Sequence, residues 1–148
     1  MPFHFSLETV LRYRKSREHA HELLLQAANQ RVANARVEIQ KLDDYVAAME
    51  RQKQLRLQTG LSSAELQFEG LRRTNFGKRR KVLEAEAVRL DALRRKQVEV
   101  LRQARREREV IEGLRTRELQ IYRQTAARQE QRSSDDQFLL RRAFLRHS

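Results

Sequence analysis

LQAANQRVANARVEIQKLDDYVAAM, residues 25–49, decides the fold. Apolar side chains recur at Leu25, Ala28, Val32, Ala35, Ile39, Leu42, Val46 and Met49. The steps alternate between three and four residues without a break. That is a heptad repeat, the spacing that keeps one apolar seam facing a partner helix. Extended backward, the same frame meets His21, Glu18, Arg14, Leu11 and Leu7. The seam is therefore apolar at both ends with a polar patch between.

Little around this stretch interrupts a helix. The 148 residues include four glycines and one proline, Pro2. Charged residues make up 35% and aromatic residues 6%. Such a composition also suits a disordered chain, and the sustained heptad spacing decides for coiled coil.

The first helix is predicted over 6–58, with Ser6 as cap and Glu8 and Thr9 in the first turn. Thr59-Gly60-Leu61-Ser62-Ser63 is predicted to break it. Gly60 suits a left-handed C-terminal stop, and Ser62 with Glu65 forms a capping box for the next helix. The second helix is predicted over 64–132, irregular across 64–77 where Gly70 and Gly77 weaken it. Its frame carries Leu83, Leu90, Leu93, Val100, Ala104, Ile111, Leu114 and Ile121, interrupted by Glu86, Gln97, Glu107 and Glu118. Ser133-Ser134-Asp135-Asp136 looks like a stop, followed by a short helical tail over 135–146 or a helical continuation.

The expected fold is all-α: two long helices in an antiparallel coiled-coil hairpin, one domain over 1–148. A short connection favours antiparallel neighbours. Pairing core positions gives contacts such as Leu25–Val100, Val32–Leu93, Leu42–Leu83 and Met49–Phe76, whose numbers add to 125. A register one heptad away scores about as well.

The chemistry that is missing is equally informative. With no cysteine, disulfides, thiolate nucleophiles and cysteine-bound metals are excluded. His19 and His21 are two residues apart and diverge on a helix, so no metal site is expected. The glycines are too scattered to form a phosphate loop. A helix pair offers little of the concavity that catalysis needs, so neither an enzyme nor a cofactor is expected. The longest aliphatic run, Leu23-Leu24-Leu25, is far short of the roughly 20 residues that span a bilayer. MPFHFSLETVL lacks the features of a signal peptide.

Three features could carry function. The net charge is +12, and its densest cluster is Arg72, Arg73, Lys78, Arg79, Arg80 and Lys81, beside the predicted turn. A cluster like this attracts acidic partners, or is simply a solvated helix face. The turn region also holds Phe68, Leu71 and Phe76, of which Phe68 either is exposed for a partner or closes the hairpin core. At the open end, Phe3, Phe5, Leu7, Val10 and Leu11 meet a tail carrying Phe138, Leu139, Leu140, Phe144 and Leu145. That is more apolar surface than two helices need, and it marks an interaction site unless the tail folds back to cover it. A basic coiled coil that binds nucleic acid through phosphates, or a homo-oligomeric scaffold, is the alternative on the residues alone. Nucleic acid is the weaker expectation, because one basic run without a reading module is a poor signal.

Phe3-His-Phe-Ser-Leu-Glu-Thr-Val-Leu-Arg-Tyr-Arg, running into a long mixed-charge helix, resembles the N-terminus of the flagellar FliJ export family. The glycine break near 60 is similar to that family's hairpin turn. Asp135-Asp-Gln-Phe-Leu-Leu-Arg-Arg-Ala-Phe resembles its C-terminal end. The stalk proteins of virulence type III secretion form a similar family. The resemblance implies a non-enzymatic stalk of the flagellar export apparatus, similar to the gamma-subunit coiled coil of rotary ATP synthases. Its paired ends would enter the ring of a FliI-like export ATPase, through Leu7, Val10, Leu11, Arg14 and a tail including Phe138 and Leu139. Its tip would reach an FlhA-like gate protein through Phe68, Leu71 and Phe76. Export chaperones are further implied partners. The implied location is the cytoplasmic side of the inner membrane at the flagellar base, and the chain alone is expected to be monomeric. The basic tip run departs from the family pattern, and suits an acidic gate surface or lipid headgroups.

Overall fold

A computed structural model describes residues 2–147. Two α-helices pack against each other as a hairpin: α1, Glu8–Thr59, and α2, Ser63–His147. The start of α1 is closed by backbone, because Glu8 donates its N–H to the Phe5 carbonyl at 3.2 Å. Ser6, the expected cap, lies in the preceding turn, exposed.

Gly60 ends α1 with φ at 98°, the left-handed conformation that stops a helix without a Cβ penalty. Ser62 then caps α2: its Oγ accepts from the Glu65 N–H at 3.2 Å. The chain remains helical through Gly70 and Gly77, where irregular structure was expected. Packing outweighs the cost of about 1 kcal/mol per helical glycine. Arg73 bonds Glu50 on α1 at 3.2 Å, and Phe76 meets the Tyr45 ring edge-on at 5.5 Å. The stop expected at Ser133–Asp136 is also absent, since α2 runs through it to His147. Serine and aspartate cost a helix only a few tenths of a kcal/mol each, and Gln131 bonds Asp135 one turn on at 3.2 Å.

Burial along α1 follows the heptad frame. Leu11, Arg14, Glu18, His21, Leu25, Ala28, Val32, Ala35, Ile39, Leu42, Val46 and Met49 are all buried or half-buried. On α2 half of the expected frame shifts by one residue. Leu83, Leu90, Gln97, Ala104 and Ile111 face the seam, but between them stand Ala87, Arg94, Leu101, Arg108, Arg115 and Tyr122. Leu93, Val100, Leu114 and Ile121 are left exposed. The shift brings arginines inward where α1 carries acids. The fully buried apolar core is thin: Phe5, Leu11, Val32, Leu101 and Ala104.

A helix pair makes contacts only between residues at the same level, so contacts group locally. By these contacts the chain divides into two compact units. The first comprises Met1–Glu18 with Gln103–Ser148, the second His19–Arg102. In the first, Phe3 meets Tyr122, Glu8 meets Arg115 and Glu18 meets Arg105. In the second, His21 meets Gln97, Asp43 meets Arg80 and Glu50 meets Arg73. Partner numbers fall on α2 as they rise on α1, so both are antiparallel.

Candidate functional site

The turn end belongs to the second unit and carries dense positive charge. Residues 51–82 hold nine Lys or Arg and two acids, Glu65 and Glu69. Glu50, Asp43 and Glu84 from outside this stretch pair with Arg73 and Arg80. The structure divides the expected basic patch in two. Arg72, Arg73 and Arg80 lean toward α1. The Arg72 guanidinium reaches Met49 Sδ at 3.0 Å and Tyr45 Oη at 3.5 Å. It also lies 5.8 Å from the Phe68 ring centre and 5.9 Å from that of Phe76. Arg80 donates to both carboxylate oxygens of Asp43, at 2.8 and 3.1 Å, and also pairs with Glu84. Those hydrogen bonds hold the Asp43 carboxyl below its ordinary range. Lys78, Arg79 and Lys81 are exposed and have no ion-pair partner among the described residues.

The three apolar candidates at this end separate too. Phe76 is half-buried against Tyr45 and holds the hairpin together. Phe68 and Leu71 are 60% and 65% exposed and available to a partner. A groove of about 220 Å³ lies between α1 and α2 here, lined by Leu42, Val46, Met49, Phe76 and Gly77 among others. The pairs Arg73–Glu50 and Arg80–Asp43 contribute to its lining. Tyr45 and the acids Asp43 and Glu50 escaped the sequence reading because they lie off the apolar frame. A signal for them existed: Asp43 with Arg80 and Glu50 with Arg73 both add to 123, as do Glu8 with Arg115 and Glu18 with Arg105.

The open end belongs to the first unit. Phe5 is buried, and the Arg115 guanidinium packs over the Phe3 ring at 5.6 Å while bonding Glu8 at 3.1 Å. Leu11 is 2% exposed and Arg14 is paired with Glu107. Leu11 belongs to the seam and offers no free surface, while Arg14 is half-buried and engaged by Glu107. Leu7 is half-buried and Val10 is exposed at the edge. The seam's buried acid, Glu18, accepts from Arg108 at 2.7 and 3.3 Å and from Arg105 at 3.2 Å. The Arg108 bond, aided by Arg105, holds its carboxyl below the ordinary value despite burial. Arg108 also pairs with Glu112, and its own pKa is raised, first by Glu18.

Beyond Ala126 every described residue of α2 is exposed. The tail does not fold back. Phe138, Leu139, Leu140, Phe144 and Leu145 are 60–76% exposed. At about 100° per residue these five point to every side of the helix. Arg141, Arg142 and Arg146 stand between them, so the tail presents apolar and basic side chains on several sides at once.

Among the described residues no cluster of His, Asp and Glu could hold a metal ion. His21 faces Gln97, whose Nε2 lies 3.1 Å from its Nδ1. Among the described residues no helix is long and apolar enough to cross a membrane. These features define an all-α protein of two long helices packed against each other as a hairpin.

The family model described as Flagellar FliJ protein matches residues 3–148. The chain belongs to the FliJ family, and is thus a non-enzymatic component of flagellar export. No curated protein and no solved structure matches the chain.

Proposed function

We propose that this chain is the stalk of the flagellar export apparatus, with its open end seated in the ring of a FliI-like export ATPase. The tail of α2, with five large apolar side chains exposed on several of its sides, carries this reading. A flat partner would cover one side of such a helix, whereas a ring bore covers all of them. Phe138, Leu139 and Val10 supply the contact, with Leu7 at its edge. Leu11 and Arg14 act indirectly, by holding α1 against α2 so that both ends enter together. The bore meets different side chains on each side of the inserted helices. Successive ATPase interfaces are therefore stabilised unequally, which lowers the cost of closing the ring and couples it to the stalk.

The turn end reaches an FlhA-like gate protein through Phe68 and Leu71, and Phe76 positions them by fixing the hairpin. Export chaperones are further partners, and the working place is the cytoplasmic face of the inner membrane at the flagellar base. The test is a pull-down of the export ATPase, with hydrolysis measured in parallel. Phe138→Asp with Leu139→Asp is expected to abolish binding and stimulation, and Val10→Asp to weaken both. Undiminished binding by all of these variants would overturn the reading.

A further inference from the structure

The outward face of α2 beside the turn has no role in the hairpin and is only partly used by the proposed gate contact. Leu71, Lys78 and Val82 fall within about 40° of one another at 100° per residue. Phe68 and Arg79 flank this stripe on one side and Lys81 on the other. Phe68, Leu71 and Val82 are each at least 60% exposed. Lys78, Arg79 and Lys81 are exposed and unpaired among the described residues. On the opposite side of this stretch, Arg72, Phe76 and Arg80 engage α1.

We infer that this face docks on an anionic lipid surface. Three large apolar side chains on one side of a helix enter the headgroup layer, and three cations beside them reach the lipid phosphates. The surrounding charge supports that partner: of nine cations over residues 51–82, Arg72, Arg73 and Arg80 are ion-paired and six are unpaired among the described residues. The face is convex, so it suits a fluid plane rather than a peptide that would need a groove. The tail of α2 differs, because its apolar residues surround the helix and cannot all meet one plane. The inference is independent of the ATPase reading, which concerns the open end. It shares Phe68 and Leu71 with the proposed gate contact, and Val82, Lys78, Arg79 and Lys81, which that contact does not use, make the vesicle test its own.

The experiment is co-sedimentation of the full chain with phosphatidylcholine–phosphatidylglycerol vesicles, against vesicles of phosphatidylcholine alone. Binding is expected only to the anionic vesicles and is expected to fall with salt. Each lysine or arginine near an anionic surface contributes about fivefold, so Lys78→Gln, Arg79→Gln and Lys81→Gln together should lose about a hundredfold. Leu71→Ser with Val82→Ser should weaken binding by at least tenfold, and Phe138→Asp with Leu139→Asp should leave it unchanged. All these residues are exposed, so helix content by circular dichroism should not change. Four results would each overturn the inference: no preference for anionic vesicles, binding that survives the triple substitution, binding indifferent to Leu71 and Val82, or binding lost with the tail variant. A face built only to hold phosphates, as for a nucleic acid, would still prefer anionic vesicles by charge but would give the third result, indifference to Leu71 and Val82.

Discussion

Glu18 and Arg108 meet inside the helix seam through two guanidinium nitrogens, at 2.7 and 3.3 Å from the carboxylate oxygens. Glu18 is 8% exposed, so removing Arg108 leaves a buried carboxylate with Arg105 alone, and removing Glu18 leaves Arg108 with Glu112 and no partner across the seam. Glu18→Ala is expected to cost about 2 kcal/mol, in the range for hydrogen bonds to charged groups. Breaking a deeply buried pair costs about 3–5 kcal/mol, but Arg108 keeps Glu112 and a helix pair is thin. Replacing both, Glu18→Leu with Arg108→Leu, should restore the loss or exceed it. Urea unfolding of the single and double variants measures this. A double variant no more stable than Glu18→Ala would contradict it.

The same pair sets an acid limb to stability. Arg108 and then Arg105 lower the Glu18 carboxyl below its ordinary value of 4.5 in the folded chain. The unfolded chain takes up the proton first as pH falls, so the stabilisation is fully present above about 4.5 and is lost as pH falls through the folded value. Asp43, held low by Arg80, and Asp91, held low by Arg94, add to the same limb. Unfolding midpoints of the natural chain and Glu18→Gln should therefore converge on acidification. A gap that stays constant down to acid pH would argue against this.

The two helices were not equally legible. In α1 apolarity alone fixed the inward face, because Leu25 to Met49 offers no competing frame. In α2 Leu93, Val100, Leu114 and Ile121 offered one frame while Leu101 and Tyr122 belonged to another. Hydrophobic spacing favoured the first. Charge chose the second, since only that rotation lets Arg108 reach Glu18 and Arg115 reach Glu8. Position 133–136 misled because Ser-Ser-Asp-Asp is a capping composition, but nothing in the chain needs to turn there. The candidate residues were found as a set. Their division into structural and available ones, Leu11 from Val10 and Phe76 from Phe68, depended on which side of the seam each one faced.

That division can be tested by separating stability from binding. Leu11→Ala removes a fully buried side chain and should cost about 2–5 kcal/mol. Phe138→Asp is in an exposed stretch and should change stability by no more than about 0.5 kcal/mol. If the open end seats in an ATPase ring, Phe138→Asp should lose ATPase stimulation at full stability. Leu11→Ala should keep stimulation at temperatures where it remains folded. Thermal unfolding followed alongside ATPase assays reads both. A stable, fully stimulating Phe138→Asp protein would remove the tail from the contact.

The glycines separate turn chemistry from helix propensity. Gly60 has φ at 98°, which an L side chain adopts only under strain, although nothing lies within 4 Å of where its Cβ would stand. Gly60→Ala should therefore destabilise by about 1–2 kcal/mol through backbone alone. Gly70 is helical, exposed and equally open around its absent Cβ. Gly70→Ala should stabilise by about 1 kcal/mol, since alanine restricts the unfolded chain and suits the helix. The two substitutions add the same methyl group in open space, so their opposite signs can come only from φ. Thermal melts of both variants measure the difference. A destabilising Gly70→Ala would mean that α2 departs from regular helix beside the turn, the irregularity that the sequence predicted across 64–77.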